Sequence, residues 1–160
     1  MNVTKIEEAS ARDIEVVSAQ LGRPARGVVG IAARDKDGVP AVVATAPRLQ
    51  DGTPFPTFYY LSHPEAVRLA SNLEAQGKMV AYNELLQTDE AVREQYEKAH
   101  EAYIADRNKF AIVSELEGIS AGGMPTRVKC LHALIGHALA AGPGVNPIGD
   151  LAIKDSNLKI

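Results

Sequence analysis

The sequence predicts an α+β fold: a small antiparallel sheet of three to four strands, packed by about four helices. Three observations lead there. Apolar residues recur at helical spacing before Gly22 and again after Pro64, while β-branched and aromatic runs lie between Val28 and Leu61. Asp37-Gly38 sits between the first two of those runs, and Asp-Gly is a hairpin signal. The chain has 160 residues, 46% of them apolar and 23% charged, which suits a single globular domain over 1–160. The stretches 1–9 and 153–160 lie outside the periodic segments and are expected to be flexible.

Ser10-Ala-Arg-Asp13 reads as a capping box, and Ile14, Val17 and Leu21 follow at helical spacing before Gly22. A helix over 11–21 is expected. Strands are expected at Val28–Arg34 and Ala41–Ala46, with Pro40 at the start of the second, where a missing N–H is tolerated. Thr57–Leu61 makes a third strand, and a meander is the simplest assembly of the three. Pro64 at the first helical position and Gly77 beyond the last frame a helix over 64–76. Thr88 then caps a helix reaching about Asn108, with Val92, Tyr96, Ala99 and Tyr103 on one face. Phe110–Val113 is a candidate fourth strand. A last helix is expected from about Thr126 to Ala141, with the helices on one face of the sheet.

The net charge of −3 does not suggest a general nucleic-acid surface, and with no Trp a base-stacking platform is poorly supplied. One cysteine, Cys130, cannot form an internal disulfide. With no apolar leader at the N-terminus and no stretch long enough to span a bilayer, a reduced cytoplasmic setting is expected, with no membrane partner. The total conceals an asymmetry. Residues 83–101 hold six acidic and two basic residues, whereas 118–149 hold no carboxylate and seven of the thirteen glycines.

That carboxylate-free segment carries the main functional expectation. Gly118, Gly122 and Gly123 feed the expected last helix, and glycine-rich loops at helix N-termini expose backbone N–H groups to anions. A nucleotide-hydrolase phosphate loop is excluded, because Met124 and Pro125 stand where Lys and Ser/Thr are required. Arg127 and Lys129, placed in the first helical turn, would oppose the macrodipole, and a bound phosphate or carboxylate would resolve the conflict. The expected ligand set is Gly122, Gly123, Thr126, Arg127, Lys129, Tyr103, Arg107 and Asn146. His100, Tyr103 and Arg107 form a ridge at i, i+3 and i+7. His100, His132 and Cys130 are candidate catalytic groups for acid–base or thiolate chemistry.

Cys130-x-His132-x4-His137 resembles a ligand run for zinc. On one continuous helix, however, Cys130 and His132 point about 200° apart, and His137 stands about 10.5 Å further along the axis. No metal or other cofactor is therefore expected. A zinc site, if present, would draw on His63, Cys130 and His132. Gly136 inside the helix implies close approach of a backbone or a ligand, a tight helix–helix crossing being favoured.

The segment Pro54-Phe-Pro-Thr-Phe-Tyr-Tyr-Leu-Ser-His-Pro64 resembles a signature of an uncharacterised bacterial family, domain of unknown function 501, common in actinobacteria. Gly123-Met-Pro-Thr-Arg-Val-Lys-Cys-Leu-His-Ala133, continuing to Asn146-Pro-Ile-Gly-Asp150, is similar to its strongest signature, and His100-x2-Tyr103-x3-Arg107 fits as well. The likeness covers about residues 12–152. Many members have Cys where this chain has His63, and a further His near Leu134, so the resemblance implies metal positions in relatives that are only partly kept here. It implies no reaction. Neighbouring genes in that family include a septum-formation initiator homologue, which makes a division-related protein partner the alternative to a small anionic ligand. In that alternative, residues 118–150 form the docking face.

Overall fold

The structure is a computed structural model and describes residues 5–160. Six helices and three strands follow in the order α1 (Ala11–Leu21), β1 (Val28–Arg34), β2 (Pro40–Thr45), β3 (Tyr59–Leu61), α2 (Pro64–Ala75), α3 (Lys78–Thr88), α4 (Glu90–Asn108), α5 (Leu131–Ala141) and α6 (Pro147–Ser156), with one 3-10 turn at Ser114–Leu116. The α+β class and the antiparallel meander hold: β1 pairs with β2 and β2 with β3. No described helix is long and apolar enough to cross a membrane.

The sheet lies between two helical layers, not under one. Side chains alternate across a strand, so Val43 faces Val17 of α1 together with Ile31, while Val42 and Ala44 face the larger core shared with α2–α6. Coverage on both sides explains why all six residues of β2 are buried. The edges of the sheet are occupied too. Glu7 exchanges two backbone hydrogen bonds with Ile31 of β1, at 2.9 and 2.8 Å. At β3 the Tyr59 N–H donates to the Tyr103 hydroxyl of α4 at 3.0 Å.

Helix α1 forms as its local signals require. Ser10 and Asp13 make the reciprocal capping box, and Gly22 closes the helix at φ +70°. The stripe on α4 is also as expected, with Tyr96, Ala99 and Tyr103 fully buried. Its cap is Asp89, whose side chain accepts from the Val92 N–H, while Thr88 ends α3.

Four features differ from the sequence reading. Helix α3 follows Gly77 directly, where the sequence reading assigns no element; only Tyr82 and Leu86 are buried on it, too few for a visible stripe. No strand forms at Phe110–Val113; Ile112 is 81% exposed. Helix α5 begins at Leu131 rather than near Thr126, because the chain before it folds back so that the Gly122 carbonyl accepts from the Lys129 and Cys130 N–H groups. Helix α6 follows Asn146 and Pro147, an N-cap and first-turn proline, and reaches into the 153–160 stretch, where Leu158 is buried.

Two glycines set helix spacing. At Gly136 an added Cβ would stand 3.0 Å from the Tyr59 carbonyl, so α5 lies against the backbone of β3. The tight helix–helix crossing is instead at Gly149, where a Cβ would overlap the Leu134 carbonyl.

Candidate functional site

A cleft of about 690 Å³ opens where the end of α1, the β3 strand, the start of α2 and the start of α5 meet. Its walls include Gln20, Leu21, Tyr60, Leu61, Val67 and Ala133, with Ser62, Arg68, Cys130 and His132 as further polar or reactive groups. Two buried polar atoms of this wall have no hydrogen-bond partner: the Ser62 Oγ and the Gln20 Oε1. The other end of the Gln20 amide donates to the Pro40 carbonyl at 2.8 Å, which fixes its orientation. Buried polar atoms are nearly always paired, so two orphans on one cleft wall mark a surface suited to a ligand's polar groups.

Cys130 and His132 come together here. The helical-wheel argument that separates them does not apply, because Cys130 is the N-cap of α5, with extended φ −146° and ψ 111°. Glu74 completes the group, and ligand atoms of Glu74, Cys130 and His132 all lie within 4.8 Å of one another. The Glu74 Oε2 accepts from the Leu131 N–H at 2.8 Å and stands 3.3 Å from the His132 Nδ1. The opposite ring nitrogen, Nε2, is 3.1 Å from the Ser71 Oγ. The carboxylate-free segment thus borrows its carboxylate from α2.

The electrostatics follow from this grouping. Burial pushes the Cys130 thiol up, but the His132 hydrogen bond and the Ala133 N–H outweigh it, and the net shift is downward. Cys130 nevertheless makes no closed capping hydrogen bond to the helix. His132 is raised by its hydrogen bond to Cys130 and by the Glu74 charge, against desolvation.

Several expected site residues are placed elsewhere. Arg127 and Lys129 precede α5 instead of lying in its first turn, and both are exposed, as is Thr126. Gly122 and Gly123 shape the tight turn itself: a Cβ on the first would meet the Leu134 side chain at 2.7 Å, and on the second the Arg127 carbonyl at 2.6 Å. Tyr103 and Arg107 are core residues. The Arg107 guanidinium donates to the carbonyls of Pro56 (3.0 Å), Leu116 (3.0 Å) and Ile119, clamping two loops. His100 holds the Ser120 hydroxyl at 2.7 Å, and burial pushes its pKa down. Of the expected ridge, His100 and Arg107 are struts for the glycine-rich loop, and Tyr103 braces β3.

Asn146 is fully buried as the α6 cap and donates to the His137 Nδ1 at 3.1 Å. His137 stacks on Tyr59 and meets Tyr103 edge-on, and burial lowers its pKa to about 4. His63 turns away from Cys130 and pairs with Asp35 at 3.0 Å. Of the conditional set His63, Cys130 and His132, only the last two lie together, and the third side chain beside them is Glu74.

Glu74, Ser71, Ser62 and Gln20 were not expected at the site. A weak signal exists for the first two: Val67, Ser71 and Glu74 fall at i, i+4 and i+7, on one face of α2.

Fold and cleft together define a small α+β domain with a cysteine–histidine–glutamate group where a helix start meets a sheet. The chain belongs to the family described as protein of unknown function (DUF501), whose profile matches residues 31–154. That match runs from within β1 into α6 and includes every member of the group. No curated protein and no solved structure matches the chain.

Proposed function

We propose that this protein binds a small molecule in the cleft against Cys130 and His132. The observation that carries the reading is the grouping of these two side chains on a cleft large enough for a metabolite, a cleft that Ser62, with its unpartnered Oγ, also lines. Glu74 and Ser71 fix the His132 ring, at 3.3 Å from Nδ1 and 3.1 Å from Nε2. The cation nearest the cleft, Arg68, is already paired with Glu65 at 2.6 Å. The ligand expected is therefore largely apolar with one polar end, not a polyphosphate. For the alternative, a partner docking through 118–150, the stretch 145–148 offers little, since Asn146 and Ile148 are fully buried.

Cys130 is the sole cysteine, so its alkylation reports on the cleft directly. Compounds from a metabolite panel that raise the melting temperature should also protect Cys130 from iodoacetamide. Ser62→Ala should weaken their binding while changing stability by less than about 0.5 kcal/mol, because the hydroxyl has no partner to lose. Stabilising compounds that leave the alkylation rate unchanged would place binding elsewhere and overturn the proposal.

A further inference from the structure

We infer that Glu74, Cys130 and His132 form a binding site for a divalent cation of the zinc class, with an open coordination position toward the cleft. One thiolate, one imidazole and one carboxylate are a ligand set typical of zinc, and sulfur disfavours magnesium and calcium. Two anionic ligands balance the charge of the dication.

The geometry needs little adjustment. Tetrahedral zinc with bonds of about 2.0–2.3 Å places its donors about 3.3–3.8 Å apart. The His132 Nδ1 and Glu74 Oε2 are already 3.3 Å apart, and the whole set lies within 4.8 Å. Side-chain rotations of about 1 Å would close it.

The outer contacts are those a metal site requires. Ser71 takes the His132 Nε2, which leaves Nδ1 for the ion, and the Leu131 N–H holds the Glu74 carboxylate. Three protein ligands leave a fourth position. Cys130 and His132 are themselves cleft wall, so that position is assigned to the cleft side, and Ser62, with its unpartnered Oγ, lines the same cleft. An oxygen donor of the cleft's ligand fits there. This last assignment rests on the cleft being a small-molecule site; cation binding itself does not.

Cobalt(II) added to the reduced, chelator-treated full chain tests the inference. One equivalent should bind, giving a thiolate-to-cobalt charge-transfer band and the strong visible absorption of a tetrahedral site, and zinc should displace it. Cys130→Ser should abolish the charge-transfer band. Glu74→Gln and His132→Gln should weaken binding by at least about tenfold. Zinc should also protect wild-type Cys130 from iodoacetamide, a readout that needs no variant to fold. No charge-transfer band at one equivalent overturns the inference. So does binding unchanged in both Glu74→Gln and His132→Gln, since that would show a lone surface thiolate. Ligand protection of Cys130 in the presence of chelator would persist if only the metal inference failed. Cobalt binding would persist if only the small-molecule reading failed.

Discussion

Replacing Asp13 by Asn removes one charge from the joint between α1 and β1. Both Asp13 oxygens accept from the Arg34 guanidinium, each at 2.9 Å, and one also accepts the Ser10 N–H at 3.0 Å. The pair is mostly buried, with 24% of the Arg34 side chain and 12% of that of Asp13 exposed. The hydrogen bonds from Arg34, and then from Ser10, hold the Asp13 carboxyl well below the usual carboxylate range. Asn keeps one acceptor but loses the bidentate charge-assisted arrangement. A cost of about 2 kcal/mol near pH 7 is expected. A carboxyl with a depressed folded-state pKa contributes stability above its unfolded pKa of about 3.9 and loses it as pH falls below that. Urea unfolding of wild type and Asp13→Asn, from pH 7 to pH 2.5, reads both effects. The gap should shrink by about 1.4 kcal/mol per pH unit once below the unfolded pKa. A gap under about 0.5 kcal/mol at pH 7, or one constant with pH, would refute the assignment.

Arg107→Met should destabilise the protein by at least about 3 kcal/mol in chemical denaturation, because three backbone carbonyls lose one charged donor; a loss under about 1 kcal/mol would show that water replaces the clamp. His137 is neutral and buried, with a folded pKa near 4 against an unfolded value of about 6.5. Wild-type stability should therefore fall by up to about 3 kcal/mol as pH drops from 6.5 to 4, and His137→Leu should lack that slope even if it is less stable at pH 7. The same slope in both proteins would assign the titration to another group.

Legibility in the sequence tracks how local each cause is. The capping box of α1 and the frame of α2 are set by residues within one turn of the helix ends, and both were readable. Asn146-Pro147 is an equally local signal for α6, although the last helix expected from the sequence ends at Ala141. Helix α3 has no side-chain cap and only two buried residues, so its existence depends on packing against α4 and α2. The site was partly visible. Cys130 and His132 were singled out, but their convergence hinges on α5 starting at Leu131, which is decided by the Gly122 carbonyl folding back on Lys129 and Cys130. Glu74 arrives from another helix, more than fifty residues earlier in the chain. No spacing rule along one segment could have supplied it.

The two backbone bonds between Glu7 and Ile31 have a consequence for assembly. Gly30 permits them, since a Cβ there would stand 2.5 Å from the Glu7 carbonyl. Glu7 bridged to Ile31 of β1 and Tyr103 bonded to the Tyr59 N–H of β3 mean that an incoming strand would have to displace an existing hydrogen bond at each of these positions. Self-association by strand addition, the commonest hazard of a small sheet, has no starting point at these positions. A chain cut back to Ser10 would lose that protection at β1.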